Sequence, residues 1–265
     1  MGVYLNSGKR RFEIALASEI YVDKSEMIGY LNAVINTNQR YVCVSRPRRF
    51  GKTMAADMLC AYYDREAPSR TLFEKSKYGQ MPLWDLYLGK YDVIRLVMTD
   101  FFNKERTVEE SISLMKRRIL DELEEAYPDT KYYRDDFCFS FEKFYRKSNI
   151  QFVFIIDEWD AVFRELKDDR EGQKRYLDFL RNWMKDKEYL ALAYMTGILP
   201  IKKYGKHSAL NMFDEYSMTL PSQMAPMLDS LRKKYGACVR NGGWSIQNWK
   251  TGMMVTDCQM PCLPG

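Results

Sequence analysis

The stretch Tyr41-Val42-Cys43-Val44-Ser45-Arg46-Pro47-Arg48-Arg49-Phe50-Gly51-Lys52-Thr53 runs from an apolar segment through a basic turn into Gly-Lys-Thr. In a strand–turn–helix setting, such a turn cradles phosphates with its backbone N–H groups. Lys52 then reaches the β- and γ-phosphates and the Thr53 hydroxyl binds Mg²⁺. The pattern G-x-x-x-x-G-K-[ST] asks for a Gly where this chain carries Arg46. Taken alone, the loop is either a variant nucleotide site or a solvated basic turn. Charge distribution favours the first. From Glu26 to Asp57 no acidic residue intervenes, while Arg40, Arg46, Arg48, Arg49 and Lys52 all fall there. Positive charge gathered at a helix start suits a polyphosphate.

A second constellation lies about 105 residues downstream of Lys52. The uninterrupted apolar run Phe152-Val153-Phe154-Ile155-Ile156 ends in Asp157-Glu158. A carboxylate at a strand tip can hold a Mg²⁺-bound water, and a neighbouring one can polarise an attacking water. Asp and Glu are also ordinary strand-end residues, so the pair gains meaning from its partner loop. Thr196-Gly197 closes another apolar run, Tyr189–Thr196. Thr196 there either approaches the γ-phosphate and its water or simply caps the turn. Arg164 and Arg181 are charge-stabilising fingers or, more plainly, solvated helix residues.

These residues need a scaffold that delivers strand tips to one edge. Periodicity predicts helices over about 25–35 and 52–63, a strand over 93–98, and an amphipathic helix over 107–126 that Pro128 ends. A strand over 152–156, a helix over about 173–187 and a strand over 189–196 follow. The buried-strand texture and the alternation with helices predict an α/β fold, a parallel sheet sandwiched by helices. In such sheets ligands bind beyond the strands' C-terminal ends, so Lys52, Asp157 and Glu158 would emerge together.

Composition narrows the class. The chain has 265 residues, enough for one substantial α/β domain and a small appendage. No apolar run approaches the ~18 residues of a membrane span, and the first ten residues lack the apolar core of a secretory signal. A cytoplasmic location without membrane association is expected. A net charge of +5 is too mild to mark a nucleic-acid binder by itself. Of the six cysteines, Cys43 and Cys60 read as small buried hydrophobes. Cys258-x-x-x-Cys262 has no second Cys pair beside it and His207 is the only His of the chain, too little for a zinc site.

The boxes above resemble one family. Arg46-Pro47-Arg48-Arg49-Phe50-Gly51-Lys52-Thr53 is similar to the phosphate loop of the AAA-ATPase-like proteins, bacterial predicted ATPases often fused to a C-terminal PD-(D/E)XK nuclease-like domain. Tyr21-Val22-Asp23-Lys24-Ser25 resembles their N-terminal box, and Ile155–Asp160 their Walker B segment. Thr196–Ile201 resembles their sensor-like strand end, and Asn211–Thr219 the box that follows. Within that pattern Arg46 is the normal residue.

The resemblance implies an AAA/ASCE-like P-loop NTPase domain over residues 1–221 that binds ATP and Mg²⁺. Arg46, Arg48, Arg49, Phe50, Gly51, Lys52 and Thr53 would line the nucleotide phosphates. Thr53 and Asp157 would hold the metal, with Glu158, Lys52 and Thr196 as catalytic groups. Asp23 and Lys24 would lie near the nucleotide. Residues 222–265 are expected to be an incomplete or irregular C-terminal segment with the nuclease-like domain absent: Lys234-Tyr235-Gly236 starts the family's next stretch, and Ala237–Gly265 fit it poorly, as in a truncated product. The rival expectation is a nucleotide-dependent switch with little hydrolysis of its own, acting with a nuclease-like partner or DNA; oligomerisation stays open.

Overall fold

A computed structural model of the chain describes residues 2–19, 21–201 and 209–217. The N-terminal helices are α1 (Arg10–Leu16) and α2 (Glu26–Val34). Strand β1 (Tyr41–Ser45) leads through the basic turn to α3 (Lys52–Tyr63), and a short α4 (Arg70–Phe73) follows. Next come β2 (Asp92–Val97), α5 (Val108–Ala126), α6 (Phe137–Ser148) and β3 (Phe152–Asp157). The described chain continues with α7 (Ala161–Glu165), α8 (Arg170–Met184), β4 (Leu190–Gly197) and β5 (Asp214–Ser217).

The strands form one sheet in the order β2-β3-β4-β1-β5, and every pairing is parallel. The chain enters at β1, crosses to the far edge at β2, and returns strand by strand before passing β1 to reach β5. The connection after β1 runs to one edge and the connection after β4 runs past β1 to the other, so the adjacent tips of β1 and β4 mark the switch in direction beyond which parallel sheets bind ligands. β4 lies between β1 and β3, pairing Val44 with Thr196, Ser45 with Gly197 and Ile156 with Met195. The loop after β1 and the carboxylates after β3 therefore flank the tip of β4.

Side-chain alternation divides the core between the two sheet faces. Tyr41, Cys43, Phe154, Ile156 and Met195 point to one face, packed against α5, α6 and α8. Val42, Val44, Val153, Ile155 and Tyr194 point to the other, packed against α1, α2 and α3. Continuing the alternation by one step puts Asp157 and Thr196 on the α3 face, the face served by the helix that begins with Lys52-Thr53. The central strands are buried along their whole length, as a parallel sheet covered on both sides requires.

Most expected elements are present with shifts of a residue or two at their ends. Helix α8 is the exception: it runs Arg170–Met184 rather than about 173–187. Asp169 accepts the Gly172 N–H and starts the helix earlier, and the left-handed backbone of Asp186 follows its early end. The two cysteines read as hydrophobes, Cys43 and Cys60, are buried. Among the described residues, no helix is long and apolar enough to cross a membrane. The segment 222–265, with Cys258 and Cys262, and His207 lie outside the described residues.

Candidate functional site

The phosphate-loop candidate is shaped by two left-handed residues, Arg49 (φ 69°) and Gly51 (φ 71°). Gly51 is the N-cap of α3 and supplies no side-chain cap, which leaves the first-turn N–H groups without an acceptor from that position. A Cβ at Gly51 would also lie 2.8 Å from Lys24 Nζ. Glycine is needed here both for its backbone angle and for that close approach.

The loop carries its own cations close to its carbonyls. Lys52 Nζ donates to the carbonyls of Arg46 and Pro47, each at 2.8 Å. Lys24, buried beneath the loop, donates to the Phe50 carbonyl at 2.5 Å. The Arg46 side chain is buried, while its N–H bonds the Gly197 carbonyl and extends the β1–β4 ladder beyond the last strand residue. Arg48 and Arg49 in the turn and Thr53 in the first turn of α3 are exposed, and Phe50 is half-buried. Burial pushes the Lys52 ammonium below its ordinary range, opposed by Asp157, Asp160 and Glu158 in that order. Those three carboxylates are therefore near enough to act on it.

Asp157 is almost fully buried at the end of β3. Its Oδ1 accepts from the Thr196 hydroxyl on the adjacent strand and from the Glu158 N–H at 3.1 Å. The chain then turns sharply, with Glu158 at φ 55°. Glu158 Oε2 pairs with Arg164 of α7 at 2.7 Å. Arg164 Nε lies 3.5 Å from Asp160 Oδ2, and the Arg164 side chain is only 16% exposed. The plainer reading of Arg164 as a solvated helix residue is thus corrected: α7 packs on the core and turns Arg164 towards the carboxylates. Arg181, in the last turn of α8, is exposed.

Two contributors were not legible as functional positions. Asp160 is fully buried, and its Oδ2 accepts the N–H groups of Ile198 and Leu199 at 3.1 and 3.0 Å. It thereby staples the exit of β3 to the exit of β4. Gly197 allows this, since a Cβ there would lie 2.5 Å from Trp159 Nε1 and 3.0 Å from Asp160 Oδ1. The second contributor is the pair Arg95–Asp57, 2.8 Å apart beneath the crevice between β2 and α3. Burial raises the Asp57 carboxyl against the opposing pull of Arg95. An Arg in the middle of an apolar strand was the available signal for it.

The N-terminal box acts as a bracket. Asp23 accepts the N–H groups of Ser25 and Lys77, Ser25 Oγ accepts that of Tyr78, and Lys24 between them holds the phosphate loop. Three consecutive side chains thus tie α2, the segment at 77–78 and the turn after β1 together. On the other side, Ser45 Oγ donates to Glu215 of β5 at 2.8 Å and fixes the edge strand to the loop's base.

The arrangement brings Lys52, Asp157, Glu158 and Thr196 to one end of the sheet on the loop side of β4. It sets the uncapped N-terminus of α3 and the Lys52 ammonium beside the buried Asp157 carboxylate. Among the described residues, no three His, Cys, Asp or Glu side chains converge as a metal cage. The family model described as "AAA-ATPase_like: Predicted AAA-ATPase" matches residues 9–206, well over half of the chain. The chain belongs to that family. No curated protein matches it.

Proposed function

We propose that this member of the AAA-ATPase-like family binds ATP with Mg²⁺ in the crevice beyond β1 and β3, and hydrolyses it. The observation that carries the reading is the state of Lys52: its half-buried ammonium donates to two carbonyls of its own loop at the open N-terminus of a twelve-residue helix. A polyphosphate offers that ammonium and the helix N–H groups a better acceptor than neutral carbonyls do. It would also favour the charged form that burial disfavours.

The roles follow from position. Lys52, Gly51 and the turn Arg46–Phe50 would surround the phosphates, with exposed Arg48 and Arg49 adding positive potential. Thr53 and Asp157 would hold Mg²⁺. A magnesium ion usually binds one or two protein ligands together with substrate phosphates and water, which suits Asp157 with Thr53, since the other buried carboxylate there, Asp160, already accepts two backbone N–H groups. When bound, the ion supplies neutralising charge to the phosphate oxygens. Thr196 orients Asp157 through its hydroxyl, and Glu158 would hold the water that attacks the γ-phosphorus as the β–γ bridging bond breaks. Catalysis of this kind rests on positioning and electrostatics.

One observation favours low turnover in the resting protein and so a switch-like role: Glu158 is engaged by Arg164. Phosphate release measured with and without DNA separates the two readings. Stimulation of several-fold or more favours a DNA-linked switch, and equal rates favour a self-sufficient ATPase. In either case Glu158→Gln is expected to retain ATP binding and lose turnover by about 10²-fold or more. Wild-type turnover in that variant would refute the role given to Glu158.

A further inference from the structure

The ion pair at the site has a direction built into it. Arg164 is held from below by Asp160, whose other partners are the backbone N–H groups just past β4. From above it is held by Glu158, which leaves β3 in a left-handed turn. The two contacts are unlike. Asp160 is fully buried and anchored to the backbone, whereas the Glu158 side chain is about a third exposed and ends at Arg164. Glu158 is therefore the contact that can be exchanged. Both Glu158 and Arg164 also act electrostatically on the Lys52 ammonium, with opposite signs, so the pair stands within reach of the loop's charge.

We infer that Arg164 is a latch on Glu158 that a terminal phosphate opens. The inference rests on the proposed ATP site and names how that site tells a triphosphate from a diphosphate. In the resting state, the guanidinium is spent on Glu158 and one carboxylate oxygen is occupied. The γ-phosphate group of a bound triphosphate brings a denser charge than a carboxylate and offers Arg164 a stronger, bidentate acceptor. Transfer of the guanidinium to that phosphate frees Glu158 to hold the attacking water. It also places a cation beside the charge that builds as the γ-phosphoryl group departs. A diphosphate lacks that group and leaves the latch shut. Asp160 is the fixed post on which the arginine turns.

The test compares ATP and ADP affinities, by calorimetry with Mg²⁺, in the wild type, Arg164→Ala, Arg164→Lys and Glu158→Gln. Arg164→Ala is expected to lower the ATP-to-ADP affinity ratio about tenfold or more and turnover about 10²-fold or more, with ADP affinity little changed. Arg164→Lys restores part of the ratio and little of the turnover, because an ammonium lacks the planar fork. Glu158→Gln removes the competitor for Arg164, so its ratio rises above that of the wild type while turnover falls. A role confined to packing α7 would move none of these ratios. If Arg164→Ala fails to fold, Glu158→Gln decides: a raised ratio supports the latch, and an unchanged or lowered one overturns it. Wild-type turnover in a folded Arg164→Ala also overturns it. A wild type that binds neither nucleotide, or a Lys52→Ala protein that binds as well as the wild type, would instead bring down the underlying ATP site and the latch with it.

Discussion

At the scale of single residues, the proposed site is braced by a lysine outside the candidate phosphate loop. Lys24 lies beneath the loop, donates to the Phe50 carbonyl and abuts Gly51. A charged hydrogen bond in such a setting contributes about 1.5–3 kcal/mol. Lys24→Met is therefore expected to weaken ATP and ADP alike by about tenfold or more, a uniform loss that calorimetry would detect. Unchanged affinity for both would remove Lys24 from the site. The loop itself was legible from Gly51-Lys52-Thr53 and its basic turn. The resemblance put Lys24 near the nucleotide, but its bond to the Phe50 carbonyl was not legible, because 26 positions separate the two and only folding brings them together. For Arg164 the sequence left a charge-stabilising finger and a solvated helix residue both open, and only folding shows it beside Glu158 and Asp160.

At the scale of elements, the tips of three strands are held in register by side chains rather than by the sheet alone. Asp160 is the principal staple, joining the turn after β3 to the turn after β4. Asp160→Ala would leave two backbone donors without their buried acceptor and Arg164 without its buried counter-charge. Such a loss is expected to cost about 3–5 kcal/mol, readable from urea unfolding. A change below about 1 kcal/mol would contradict the staple. The elements carrying the site were legible because their signals are local: an apolar strand, a basic turn with Gly-Lys-Thr, and a carboxylate-ended run. Others were not. In α6 the alternating Phe137, Phe139 and Phe141 compete with the helical spacing of Phe137, Phe141 and Phe144, and the second pattern prevails because it faces the core. Edge strand β5 is only Asp-Glu-Tyr-Ser, with no apolar run to announce it, and is defined by pairing with β1.

At the scale of the whole molecule, polar groups buried on the sheet's α3 side and its lower edge make stability depend on pH. Burial raises the carboxyl groups of Asp57, Asp64 and Asp92 above their ordinary range. Each therefore binds its proton more readily in the folded chain than in the unfolded one. Their contribution is full below the unfolded carboxylate range and is lost as pH rises through the folded values. Asp92 gives a direct test: Asn6 Nδ2 donates to its Oδ1 at 3.0 Å and Tyr127 OH to its Oδ2 at 2.6 Å, and an Asn there keeps one of the two acceptor oxygens and does not titrate. Asp92→Asn is expected to gain less stability than the wild type between about pH 7 and about pH 4.5 in urea unfolding. An identical gain in both proteins would contradict the assignment.

The parallel sheet, covered by α1–α3 on one face and α5, α6 and α8 on the other, exists at this scale to bring a cationic loop and an acidic strand tip to the same crevice. The most direct measurement is calorimetric titration of ATP with Mg²⁺ into the wild type and into Lys52→Ala. The account predicts saturable binding by the wild type that Lys52→Ala abolishes while its fold, followed by circular dichroism, is retained. Absence of binding by the folded wild type, or equal binding by both proteins, would contradict it.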